Sequence, residues 1–147
     1  MKRQVKNQFV LRFPAKSVNE GFSRSTAAMF AAQLDPTLEE VNDLKTAVSE
    51  AVTNAIVHGY RDTLGEITMT VRLLEPNIVE VTVKDKGCGI PDIGQARQPL
   101  FTTGGADRSG MGFTIMESFT DGLRVRSAPG KGTTVTLRKV MSLRTAP

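Results

Sequence analysis

The stretch Ser49-Glu50-Ala51-Val52-Thr53-Asn54-Ala55-Ile56-Val57-His58-Gly59 decides how the rest of the chain is read. It closes a helix expected from Thr37 to His58. At about 100° per residue, Leu44, Val48, Ala51, Val52 and Ala55 fall on one stripe, the pattern of a helix laid on a core. Glu50 and Asn54 are four residues apart, so they are neighbours on a flank away from that stripe. Taken alone, they are an acid and an amide on a solvated face. They also have a chemistry: the carboxylate can take a proton and the amide oxygen can ligate a hard cation such as magnesium.

Working outward, Thr37 followed by Glu40 forms a capping box at the helix start, Asp35-Pro36 breaks the chain before it, and Gly59 stops it. Further upstream, Phe9, Leu11 and Phe13 alternate with Val10 and Arg12, a strand ending at Pro14. Ser17 is the expected cap of a first helix, with Val18, Phe22, Met29, Phe30 and Leu34 as its buried residues. Downstream, Ile67, Met69, Val71 and Leu73 alternate with Thr68, Thr70 and Arg72. Val79, Val81 and Val83 do the same, and Glu75-Pro76-Asn77 makes the two runs a hairpin. Lys86 to Gly110 then reads as one long loop, a length that is usually functional. A short helix from Met111 to about Phe119 follows, and then strands Leu123–Ser127 and Thr133–Arg138 around Pro129-Gly130-Lys131-Gly132.

Clean alternation implies a mostly antiparallel sheet with one apolar face, which three helices can cover. The expected architecture is an α/β two-layer sandwich in the order β-α-α-β-β-loop-α-β-β, with no internal repeat. The 147 residues fit one domain spanning 1–147, with its core from about 9 to 138.

Composition narrows the function classes. With 39% hydrophobic and 23% charged residues the chain is an ordinary globular one. A net charge of +4 invites a nucleic-acid reading, but the basic residues are scattered, there is no Trp and there is one Tyr. Such a surface suits an acidic protein or a nucleotide's phosphates equally well. The single cysteine, Cys88, excludes an intrachain disulfide and points to a reducing compartment, where it reads as a small filler. No leader peptide and no bilayer-length apolar run is seen, which leads to the expectation of a cytoplasmic protein without membrane contact.

Three glycine-bearing boxes join the Glu50/Asn54 helix. In Asp85-Lys86-Gly87-Cys88-Gly89-Ile90 a strand ends in an acid able to accept a hydrogen bond from an exocyclic amine, and the glycines let backbone approach a flat ring. In Arg108-Ser109-Gly110-Met111-Gly112-Phe113 glycines open a helix, where N–H groups can hold phosphate. In Gly130-Lys131-Gly132-Thr133 a turn brings a hydroxyl beside the acid. Walker and dinucleotide fingerprints fail: Val125 and Gly132 break the first, and Asp92 and Ile115 break the second.

In this order the boxes resemble the Bergerat-type ATP-binding fold shared by gyrase, histidine kinases, the ninety-kilodalton heat-shock chaperone and the mismatch-repair ATPases. More narrowly, Glu-Ala-Val-Thr-Asn-Ala-Ile-Val-His-Gly-Tyr, Arg-Gln-Pro-Leu-Phe-Thr-Thr and Arg-Ser-Gly-Met-Gly-Phe-Thr-Ile-Met-Glu resemble the sporulation-type anti-sigma factors, in particular the anti-sigma-F group. The resemblance implies a serine kinase that uses ATP and Mg2+, holds a sigma factor as a homodimer, and phosphorylates a serine of an anti-anti-sigma protein. It implies Glu50 as general base, Asn54 as magnesium ligand, and Asp85, Gly87, Gly89 and Thr133 around adenine. It further implies Gly110 and Gly112 at the phosphates, Arg108 at the terminal phosphate, a lid over about residues 92–109 anchored by Phe101, and Arg24 as a partner contact. Asp107 departs from the expected Glu. The lone His58 reads as structural, and Lys131 as a turn residue rather than a phosphate ligand. A nucleotide-gated sigma-binding module with little kinase activity, a relative acting on a stress-response sigma factor, and a histidine autokinase are the competing readings; the last lacks an upstream acceptor histidine.

Overall fold

The computed structural model describes residues 3–60, 65–90, 93–97 and 112–143. Strand β1 (Val5–Pro14) leads into helix α1 (Val18–Ala31), a 3-10 turn (Ala32–Leu34) and helix α2 (Leu38–Asn54). Strands β2 (Glu66–Leu74) and β3 (Ile78–Asp85) form the expected hairpin. Short helices α3 (Ile93–Ala96) and α4 (Gly112–Ser118) precede strands β4 (Gly122–Ala128) and β5 (Gly132–Val140). The segment expected to be wholly irregular from Lys86 onward therefore contains a helical turn.

Among the described residues all four strand pairings are antiparallel, in the order β1-β2-β3-β5-β4. The pleat sends Phe13, Ile67, Met69, Val71, Val81, Val83, Val135 and Leu137 to one face, where they are buried beneath α1, α2 and α4. Each such side chain contributes about 1.5–3 kcal/mol over its exposed state. The opposite face is open and carries Arg12, Arg72, Lys84, Arg124, Arg126 and Arg138, all exposed. On that face Glu80 is nonetheless only 8% exposed, held by Arg138 at 2.8 Å and Arg72 at 3.9 Å.

Helix α2 sits as its stripe requires. Leu44, Val48, Ala51, Val52 and Ala55 are all buried, with Ala47 beside them. The capping box is formed: Glu40 N–H donates to Thr37 Oγ1 at 3.1 Å, and Thr37 N–H donates to Glu40 Oε1 at 2.8 Å. The expected continuous helix to His58 instead widens into a π-turn over Ala55–Gly59, where Tyr60 N–H reaches back to the Ala55 carbonyl at 3.2 Å. Such turns are frequent at functional sites.

Helix α1 corrects the sequence reading. Ser17 is its first flanking residue but makes no side-chain cap. Val18, Phe22 and Met29 are exposed, and the buried residues are Ser23, Ala27, Ala28 and Ala31. Small residues let α1 lie close to α2, and that close approach turns the large side chains outward. Phe30 does pack inward, edge-on to Phe9 with ring centroids 4.7 Å apart.

Candidate functional site

At one end of the candidate site, β3 ends in Asp85, opposite Thr133 at the start of β5. Asp85 is 5% exposed. Its Oδ1 accepts the backbone N–H of Gly87 at 2.9 Å and that of Thr133 at 3.3 Å. Burial pushes the carboxyl above the usual aspartate range, and these two hydrogen bonds draw it only part of the way back. The chain then turns over the end of the π-turn. Cys88 N–H donates to the Gly59 carbonyl at 2.9 Å, and a Cβ at Gly87 would strike that same carbonyl, so only glycine fits. Gly89 lies against the Ala128 carbonyl, and Gly130 N–H donates to the Cys88 carbonyl at 2.7 Å, which ties this turn to the one joining β4 and β5.

At the other end, Glu50 and Asn54 are half-buried on the last turns of α2. Gly112 opens α4 directly against them. A Cβ there would lie 3.1 Å from both terminal atoms of the Asn54 amide and 3.4 Å from Glu50 Oε2. Phe113 and Met116 anchor α4 in the core. Arg97, after α3, donates from Nε to Glu117 at 2.8 Å and so fastens the start of the expected lid to α4.

The tyrosine after the π-turn joins the two ends. Tyr60 OH donates to the Glu66 carbonyl at 2.8 Å and accepts from Lys86 N–H at 2.6 Å. The turn that follows Asp85 is thereby fixed to the helix that carries Glu50 and Asn54. The residues fit a nucleotide: a carboxylate acceptor beside a hydroxyl at one end, a carboxylate and an amide oxygen facing a glycine gap at the other. Among the described residues no three His, Cys, Asp or Glu side chains cluster as a metal site. A magnesium ion needs no such cluster, because it is commonly held by one or two protein oxygens together with phosphates and water.

The structure thus brings together Glu50, Asn54 and Gly112, and separately Asp85, Gly87, Gly89 and Thr133. Phe101, Asp107, Arg108 and Gly110 lie outside the described residues. Arg24 is not a bare surface cation: it pairs with Glu20 at 2.9 and 3.1 Å, and Glu20 also takes the hydroxyl of Ser49, next to Glu50. Cys88 is exposed rather than a filler, its thiol donating to the His58 carbonyl at 3.0 Å. Lys131 is an exposed turn residue, as expected. Sequence reasoning missed Tyr60, Glu20 and Ser127; being the lone Tyr after the helix stop was the only signal any of them carried.

Residues 13–139 match the family described as the histidine kinase-like ATPase domain. The chain is 54% identical over 136 residues to the anti-sigma F factor of Geobacillus kaustophilus (strain HTA426), covering 92% of this chain and 93% of that one. It is 53% identical over 140 residues to the anti-sigma F factor of Bacillus licheniformis, covering 94% and 95%. In fold it is similar to the crystal structure of the RsbU and RsbW domains of a Mycobacterium tuberculosis protein. That match has a TM-score of 0.67 and 19% identity, and it covers 97% of this chain and 35% of the other. This chain belongs to the histidine kinase-like ATPase domain family and, within it, to the anti-sigma F factors.

Proposed function

We propose that the chain is one ATP-binding kinase domain that restrains a sporulation sigma factor and, using ATP and Mg2+, phosphorylates a serine of the anti-anti-sigma antagonist. It works in the cytoplasm as a homodimer. The observation that carries the kinase reading is the seating of Gly112 on Glu50 and Asn54, which gives a general base and a cation ligand one shared gap. Anti-sigma activity is supported by relatives of that name at more than half identity over nearly the whole chain.

In this reading Asp85, with Thr133, Gly87 and Gly89, holds adenine, while Asn54 offers its side-chain oxygen to magnesium. Arg108, Gly110 and Gly112 face the phosphates under a lid formed by about residues 92–109. Bound ATP with magnesium supplies the phosphoryl group and neutralises its charge; phosphoryl transfer asks the protein mainly for positioning. Glu50 takes the proton of the acceptor serine at its carboxylate. Arg24 contacts a protein partner, a role supported by the exposed apolar side chains Val18, Phe22 and Met29 on the same helix. No helix among the described residues is long and apolar enough to cross a membrane.

The test is magnesium-dependent transfer of the terminal phosphate from labelled ATP to a purified anti-anti-sigma protein. Wild type is expected to label a serine. Glu50→Ala is expected to lose that labelling at least a hundredfold while still binding ATP. ATP binding without transfer by the wild type would leave a nucleotide-gated sigma-binding module, and no ATP binding would end the reading.

A further inference from the structure

Ser127, in β4, is the hub of the base end although no motif contains it. Its Oγ accepts the backbone N–H of Ile90 at 2.7 Å, lies 3.0 Å from the Gly132 carbonyl oxygen, and lies 2.8 Å from Thr133 Oγ1. A serine hydroxyl has one proton. A carbonyl can only accept, so that proton goes to Gly132. A backbone N–H can only donate, so one Ser127 lone pair goes to Ile90. The third contact is then the Thr133 hydroxyl donating its own proton to Ser127, which leaves Thr133 with lone pairs alone. Asp85, whose Oδ1 already accepts from Gly87 and Thr133, likewise offers lone pairs and no proton when ionised.

We infer that Ser127 is a specificity-determining positioning residue. By engaging the Thr133 proton, it makes the pocket present two acceptors to a purine and so selects a 6-amino over a 6-oxo base. The inference rests on the reading of the Asp85 pocket as the base site. An exocyclic amine brings two protons to two acceptors. A 6-oxo oxygen brings lone pairs to lone pairs, and a buried polar group without a partner is costly. Ser127 acts through Thr133 and itself touches no base.

The measurement is the affinity of the full chain for ATP and for inosine triphosphate, which replaces the 6-amino group by 6-oxo. Wild type is expected to prefer ATP. Ser127→Ala is expected to shrink the ratio of the two affinities about tenfold, because Thr133 can then turn its proton toward the pocket. Ser127→Thr keeps the hydroxyl and restores the ratio. In a Thr133→Val background, Ser127→Ala is expected to change the ratio no further. Equal loss of both nucleotides in Ser127→Ala overturns the inference, as does a wild type that binds both alike. If Ser127→Ala does not fold, an unchanged ratio in Thr133→Val overturns it equally. A wild type that binds ATP but fails these comparisons leaves the nucleotide reading standing; a wild type that binds no ATP removes both.

Discussion

Asp85 shows two opposing effects on one carboxyl. Burial favours the neutral form, while the N–H groups of Gly87 and Thr133 favour the charged one, and burial prevails. A carboxyl raised in the folded state stabilises the fold only below its unfolded value and loses that contribution as pH rises through the folded value. At neutral pH the ionised Asp85 is therefore a cost to stability. Asp85→Asn is expected to leave thermal stability of the ligand-free chain unchanged or raised, because an amide oxygen can accept the same two N–H bonds. The same substitution is expected to weaken ATP binding about tenfold or more. Thermal unfolding alongside ATP titration checks both; a drop in melting temperature would refute the burial argument. The acid at the end of an alternating strand was legible in the sequence. That the Thr133 N–H donates to it, and that Ser127 holds the Thr133 hydroxyl, was not, because cross-strand register depends on where β5 lands.

Helix α2 is the element on which local signals and tertiary packing agree most fully. Thr37 and Glu40 announced its start, and both halves of the capping box form. The structure adds a third partner: Glu40 Oε2 accepts the N–H of Ser142 at 2.7 Å and its hydroxyl at 2.9 Å, tying the chain beyond β5 to the helix start. Partial burial would raise the Glu40 carboxyl, but its hydrogen bonds with Thr37 and Ser142 together outweigh that and lower it. A lowered carboxyl contributes stability above its unfolded value, near 4.5, and loses it as pH falls through the lower folded value. Glu40→Gln is thus expected to flatten the acid limb of the stability profile below pH about 4.5, and Thr37→Ala to cost about 1 kcal/mol at neutral pH. Denaturant midpoints across pH measure both. Helix α1 is the counterexample. It offers two plausible inward faces, and its large apolar residues favoured the wrong one, since hydrophobicity alone cannot register how near α2 lies.

At the scale of the whole molecule, the sheet has one face in the core and one in solvent, and neighbouring strands test this sharply. Met69 in β2 is fully buried, whereas Val10 in β1, one register step away, is 49% exposed on the open face. Met69→Ala is expected to cost about 2–5 kcal/mol, and Val10→Ala about 0.5 kcal/mol or less. Urea unfolding of both variants decides it, and equal costs would contradict the two-layer arrangement. The sequence by itself determined the five strands and the three main helices, the antiparallel two-layer class, the apolar stripe of α2 and the order of the four boxes, because these rest on local periodicity, turn chemistry and spacing. Only the tertiary structure decided which face of α1 is buried and that α2 ends in a π-turn. It alone decided that Tyr60 joins the two ends of the site and that one serine orients the Thr133 hydroxyl. Each of these depends on distances between segments far apart in the chain, which close packing sets and no local pattern encodes.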